Sequence, residues 1–198
     1  MDTTRGSRIF PAVLMTVALA GGLPGGYGLA GEKQEEDRDT EGYVNFTKDH
    51  SMGEVRSDKA LVYVVRPTSI GFAIKSFFLC DDEILGINRG SSYFFAYLDP
   101  GKHVLWSKSE NVDALELDVE GGKTYYIQQH VRMGGFRART KLEVLDETEG
   151  KEAVSKCAKY GTLTDRGREK GKEIAREHRK DTQEDLDRRA RQATKEGK

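Results

Sequence analysis

The sequence predicts an all-β fold: an antiparallel β-sandwich of about eight strands over residues 58–160, with a short helix after it and a charged C-terminal tail. Short runs rich in β-branched and aromatic residues recur through the middle of the chain. Turn signals punctuate them, at Asp99-Pro100-Gly101, Gly121-Gly122 and Gly134-Gly135. Residues 60–146 hold nearly all the large apolar side chains, and roughly 90 residues suffice to bury a core. Strands in that number tend to split into two packed sheets. A closed barrel is the alternative.

The chain begins with Arg5 and Arg8, an apolar run from Ile9 to Ala20, and small residues offering cleavage after Ala20 or Ala30. That is the layout of a secretory signal peptide over residues 1–30. The run falls short of the ~18–20 residues of a spanning helix. We therefore expect export to the periplasm or cell envelope, with no stable membrane span after processing. A retained anchor is the alternative. Residues 31–57 read as a polar linker, acidic at its start.

Ala60 to Arg66 is apolar at successive positions, as in a central strand, and Pro67 ends it. Ala73 to Cys80 and Glu83 to Asn88 read as a hairpin turning at Asp81-Asp82. Ser92 to Leu98 is an aromatic strand, and Lys102 to Ser109 follows the Pro-Gly turn. Ala114 to Val119 alternates, with Leu115, Leu117 and Val119 opposite Glu116 and Asp118, so one face is wet. Lys123 to Arg132 alternates too, and Phe136 to Asp146 closes the set. Gly150 to Tyr160 has helical periodicity, with Ala153, Val154, Cys157 and Ala158 on one stripe. Residues 161–198 carry both signs of charge and little that is apolar, which predicts a solvated helix or disorder.

A formal net charge of -1 gives no whole-chain attraction to nucleic acid. No catalytic residues, cofactor motif or metal site are read from the sequence. No two His fall at metal-ligand spacing, and no P-loop or nucleophile elbow occurs. His103 reads as bonding its own hairpin, and Asp81, Asp82 and Glu83 as turn residues rather than a calcium loop. Cys80 beside His103 or His130 lacks the helix N-terminus or Cys-x-x-Cys that activates a thiol. An even cysteine count in an exported chain suggests a Cys80–Cys157 disulfide, against two separate thiols.

The aromatic set Tyr93, Phe94, Phe95, Tyr97, Tyr125, Tyr126 and Phe136 is the feature with binding potential. Alternation sends one of Phe94 and Phe95, and one of Tyr125 and Tyr126, outward. His130 and Arg132 share a face, and Arg137 and Arg139 follow. Phe94, Tyr126, His130 and Arg132 are thus the candidate binding residues, on a sheet face.

Leu61-Val62-Tyr63-Val64-Val65-Arg66-Pro67, Asp99-Pro100-Gly101-Lys102-His103 and Gly121-Gly122-Lys123-Thr124-Tyr125-Tyr126-Ile127 together resemble a bacterial family of exported β-domain proteins of unassigned function, many of them lipoproteins. They are also similar to PEGA-type β-sandwich modules. The resemblance covers roughly residues 60–158 and implies a small β-sandwich in the bacterial envelope. The lipid-bearing Cys of many members is absent here, and the charged tail is not part of the family pattern.

The expectation is an exported, non-enzymatic module that binds another envelope protein or polymer, and no nucleic acid. One alternative is a structural envelope protein whose tail contacts the partner, so that removing residues 164–198 leaves the melting temperature unchanged. The other is an enzyme of unrecognised type, which predicts a deep cleft where two or more of His103, His130, Asp81 and Glu116 converge.

Overall fold

The computed structural model describes residues 37–38, 41–133 and 138–196. The expected signal segment, most of residues 31–40, and the Gly134-Gly135 turn with Phe136 and Arg137 lie outside the described residues. The strands are β1 (Asp37–Arg38), β2 (Val44–Thr47), β3 (Ala60–Arg66), β4 (Ser76–Cys80), β5 (Glu83–Asn88), β6 (Ser92–Leu98), β7 (Gly101–Lys108), β8 (Val112–Val119), β9 (Thr124–Met133), β10 (Ala138–Leu145) and β11 (Lys159–Leu163). Helix α1 (Glu147–Ser155) precedes β11, and α2 (Asp165–Glu196) follows it.

The fold is mostly β and has two sheets. The larger runs β1-β2-β11-β6-β3-β9-β10 and the smaller β5-β4-β7-β8. The chain crosses between them by hairpins, leaving the larger sheet after β3 and after β6 and returning each time. These crossovers let β3 pair in parallel with β9, and β11 in parallel with β6. The expected all-antiparallel arrangement is therefore corrected to a mixed larger sheet. The sequence-predicted linker also contributes a strand, since β2 pairs with β11 from Thr47↔Tyr160 to Val44↔Leu163.

Both sheets feed one core. Ala60, Val62 and Val64 of β3, Phe78, Phe94, Leu105, Leu115, Ile127 and Leu142 pack together between them. The other face of β3 is apolar as well, because it is covered. Leu61, Tyr63, Val65, Tyr93 and Tyr126 pack under α1 with Ala153, Val154 and Cys157. Asp146 caps α1, its carboxylate accepting from the Glu149 N–H at 2.8 Å. Gly150 brings this helix onto the sheet: a Cβ there would lie 2.1 Å from the Tyr126 ring.

The tail is a structural layer, which corrects its reading as a solvated or disordered appendage. Helix α2 lies on the outer face of the smaller sheet, where Ile174, Ala175 and Leu186 join Leu79, Trp106 and Ala114 in a third cluster. Its docked stripe runs Gly167, Gly171, Ile174, Ala175, Thr182, Asp185. Small and polar residues make most of that stripe, so close approach of the backbone substitutes for bulk. A Cβ on Gly171 would sit 2.4 Å from Ile84. Thr164 caps the helix by accepting from the Gly167 N–H at 3.1 Å. Among the described residues, no helix is long and apolar enough to cross a membrane.

Candidate functional site

A helix packs on the outer face of each sheet, and neither Phe94 nor Tyr126 reaches the surface. Phe94 is 2% exposed and meets Phe78 edge-on in the core between the sheets. Tyr126 is 4% exposed, stacked on Tyr63 beneath α1. Alternation assigned the pairs to opposite faces correctly. It carries no information on whether the second face is covered.

His130 and Arg132 remain accessible, on the part of β9 that α1 does not reach. Their neighbours across the ladder are Lys141 and Arg139: Arg132 faces Arg139, and His130 faces Lys141. His130 Nε2 lies 2.7 Å from Glu143 Oε2. Arg132, Arg139 and Lys141 form one wall of a cleft of about 450 Å³; Arg188, Arg189 and Gln192 of α2 form the other. Asp113 is the single acidic residue among the described lining. It is occupied, accepting from Arg189 Nη2 and from the Leu142 backbone N–H. Arg188 pairs with the buried Asp185. Two arginines directly opposite one another on a sheet face repel. The α2 wall was missed in the sequence because it comes from the tail, about fifty residues beyond β10.

A second cluster sits at the other end of the smaller sheet. Cys80 ends β4, Asp81 begins the turn with φ 52°, and His103 comes from the neighbouring β7. Asp tolerates that left-handed backbone better than most residues. The Val104 N–H donates to Asp81 Oδ1 at 3.0 Å, and Trp106 Nε1–H donates to the Asp81 carbonyl at 2.8 Å. His103 Nδ1–H points at Asp81 Oδ2 at 3.0 Å, and Nε2–H donates to the Asp99 carbonyl at 2.8 Å. The Cys80 thiol lies 3.4 Å from His103 Nδ1.

Burial disfavours charge on His103, yet its bonds to Asp81 and to the Asp99 carbonyl outweigh that and raise its pKa. Burial pushes the Asp81 carboxyl up, but the His103, Val104 and Cys80 hydrogen bonds bring it below the ordinary value. Burial, then the adjacent Asp81 charge, pushes the Cys80 thiol up to about 12. Beside this cluster is a cleft of about 370 Å³ lined by Asp81, Lys102, His103, Val104, Glu116, Leu117 and Asp118. His103, Asp81 and Glu116 thus share one hollow, as the enzyme alternative expects, while His130 does not join them. His103 Nε2 is committed to the Asp99 carbonyl, while Nδ1 faces both Asp81 Oδ2 and the Cys80 thiol.

The cysteines do not pair. Both are free and buried. Cys80 belongs to the core between the sheets, and Cys157 to the cluster under α1 on the opposite face of the larger sheet. That sheet lies between them, which corrects the expected disulfide. Cys157 Sγ lies 3.4 Å from the carbonyls of Ser92 and Ala153. His178, on α2, bonds Asp181 on its own helix at 2.7 Å.

Residues 56–141 match the model of a family described as a protein of unknown function (DUF2846). The match runs from just before β3 through the first half of β10. It includes Cys80, Asp81, His103, Arg132 and Arg139, and it excludes α2 and the pairing of β2 with β11. A protein of Haemophilus influenzae (strain ATCC 51907 / DSM 11121 / KW20 / Rd), described as an uncharacterized protein, is 35% identical over 97 residues. That alignment spans 48% of this chain and 57% of the relative, so the chain spans little more than half of that protein's length.

Proposed function

We propose that the protein is an exported, non-enzymatic binding module of the bacterial cell envelope, and that it meets its partner through the basic cleft between the β9–β10 edge and α2. The observation that carries this reading is the cross-strand pair Arg132 and Arg139. Like charges directly opposite on a sheet are destabilising. Here the pair is joined by Lys141 and Arg188, with Asp113 already bonded to Arg189 and Leu142. A cavity walled by guanidinium groups suits carboxylate or phosphate groups, which accept paired N–H bonds from arginine. The partner is accordingly an anionic envelope polymer or an acidic segment of an envelope protein.

Burial of Phe94 between the sheets and of Tyr126 beneath α1 disfavours contact through them and supports a site at the uncovered β9–β10 edge in its place. The test is capture from envelope extracts by the wild-type chain and by Arg139→Glu with Lys141→Glu, which leaves the Arg188–Asp185 pair intact. Capture should fall in the double variant and should weaken as salt rises, because exposed charges are screened. Equal capture by both chains, insensitive to salt, overturns the reading.

A further inference from the structure

Among the described residues, Cys80, Asp81 and His103 are the one group whose potential metal-ligating atoms all lie within 4.8 Å of one another. Their mutual distances are informative. Cys80 Sγ to His103 Nδ1 is 3.4 Å, His103 Nδ1 to Asp81 Oδ2 is 3.0 Å, and Cys80 Sγ to Asp81 Oδ2 is 3.6 Å. Zinc with one thiolate, one imidazole and one carboxylate, at bond lengths of about 2.3, 2.0 and 2.1 Å and tetrahedral angles, needs ligand–ligand edges of about 3.3–3.6 Å. Two edges are already at that length. The third widens by about 0.3 Å once the proton between Nδ1 and Oδ2 is gone.

The outer partners are also in place. A metal-ligating imidazole almost always donates its other ring N–H to a carbonyl or carboxylate, which fixes the tautomer. His103 Nε2–H does so to the Asp99 carbonyl at 2.8 Å, leaving Nδ1 as the ligating nitrogen. Ligating carboxylates are themselves held by hydrogen bonds. Asp81 Oδ1 accepts from the Val104 N–H at 3.0 Å, leaving Oδ2 turned toward the other two donors. The neighbouring hollow carries Glu116 and Asp118 against Lys102, an entrance with more negative than positive charge.

We propose that Cys80, Asp81 and His103 form a mononuclear zinc site with three protein ligands, a fourth position being left for water. A thiolate, an imidazole and a carboxylate are the mixed set that borderline-soft Zn²⁺ accepts and that Ca²⁺ or Mg²⁺ does not favour. On binding, the Cys80 S–H and His103 Nδ1–H protons leave to solvent, and Sγ, Nδ1 and Oδ2 each donate an electron pair to the ion. No redox change is involved. The site is independent of the basic cleft, so either proposal can fail alone.

The test uses the full chain stripped with a chelator and titrated with Co²⁺, then with Zn²⁺. One equivalent of Co²⁺ should bind, with a thiolate-to-cobalt charge-transfer band that Zn²⁺ abolishes, and Zn²⁺ should raise Tm with the logarithm of its free concentration above Kd. Cys80→Ser should lose the band. His103→Gln and Asp81→Asn should weaken binding by more than about tenfold, the lower bound even for losing a second-shell partner. Cys157→Ser, under the opposite face, should leave band and affinity unchanged. The wild-type titration needs no variant to fold: absence of the band at micromolar Co²⁺ overturns the proposal. So does a band that persists in Cys80→Ser or disappears in Cys157→Ser.

Discussion

Asp185, on the buried stripe of α2, accepts a hydrogen bond at 2.9 Å from the backbone N–H of Ala114, 71 residues earlier in the chain. Ala114 lies on β8, an edge strand of the smaller sheet. Edge strands present unpaired N–H groups that invite unwanted pairing. The 2%-exposed Asp185 satisfies one of them and is held in turn by Arg188 and Arg189. Replacing Asp185 with Ala should destabilise by about 1–3 kcal/mol, the usual range for orphaning a buried polar group. Asp185→Asn, which keeps an acceptor, should cost less. Thermal or urea unfolding reads both, and equal stability of Asp185→Ala and wild type would show that α2 docks without this bond.

Truncation after Leu163 should not be neutral. It would uncover Leu79, Ala114 and Trp106, which is 2% exposed beneath α2. Trp106 is the only tryptophan, so its fluorescence reports the helix directly. A red-shifted emission and a lower Tm are expected. An unchanged spectrum would restore the view of the tail as a detachable appendage.

Arg139→Glu should separate stability from binding. Opposite Arg132 it turns repulsion into attraction, a gain of about 0.2–1 kcal/mol or more when a like-charge pair is relieved. Tm should therefore hold or rise while capture of an anionic partner falls. A variant that loses stability and binding together would point to a folding role for Arg139. Sites held for function often carry such a stability cost.

Alkaline pH should unfold the protein through the phenols under α1. Burial raises the pKa of Tyr63, Tyr126 and Tyr160, and takes that of Tyr93 up to about 12. In the unfolded chain these groups titrate near ~10. Raised folded values mean the unfolded state loses protons first, so stability is intact below ~pH 10 and falls as pH climbs toward about 12 for Tyr93. Tyrosinate absorbance of these residues should rise together with loss of structure. Tyr93→Phe should make the loss of stability with pH less steep. Titration of these four tyrosines near ~10, with the structure intact, would contradict the packing under α1.

The sequence carried the strands from β3 to β10 because their signals are local: runs of apolar residues, period-two alternation, and turn residues between them. Parallel pairing of β3 with β9 left no such mark, since it depends on how the intervening hairpins cross to the other sheet. β2 was hidden in a polar stretch, its buried residues Val44 and Phe46 standing among polar neighbours. The α2 stripe was hidden for a different reason, because Gly167, Gly171, Thr182 and Asp185 bury themselves without looking apolar. At the candidate sites, alternation placed His130 and Arg132 together. It was silent on Cys80, Asp81 and His103, which meet across strands at separations that no helical or finger-like spacing covers.

The β2–β11 ladder joins residues near 45 to residues near 161. During synthesis from the N-terminus, at about 5–20 residues per second, the earliest of the longer strands has no neighbour but β1 until almost the entire chain exists. The β6–β3–β9–β10 part of the larger sheet can form earlier, but docking of β1 and β2 onto it through β11 is a late event, slow in the manner of distant pairings. Until then the nascent polypeptide keeps an open, sticky border, and a ribosome stalled anywhere before Leu163 would release a fragment with that border exposed.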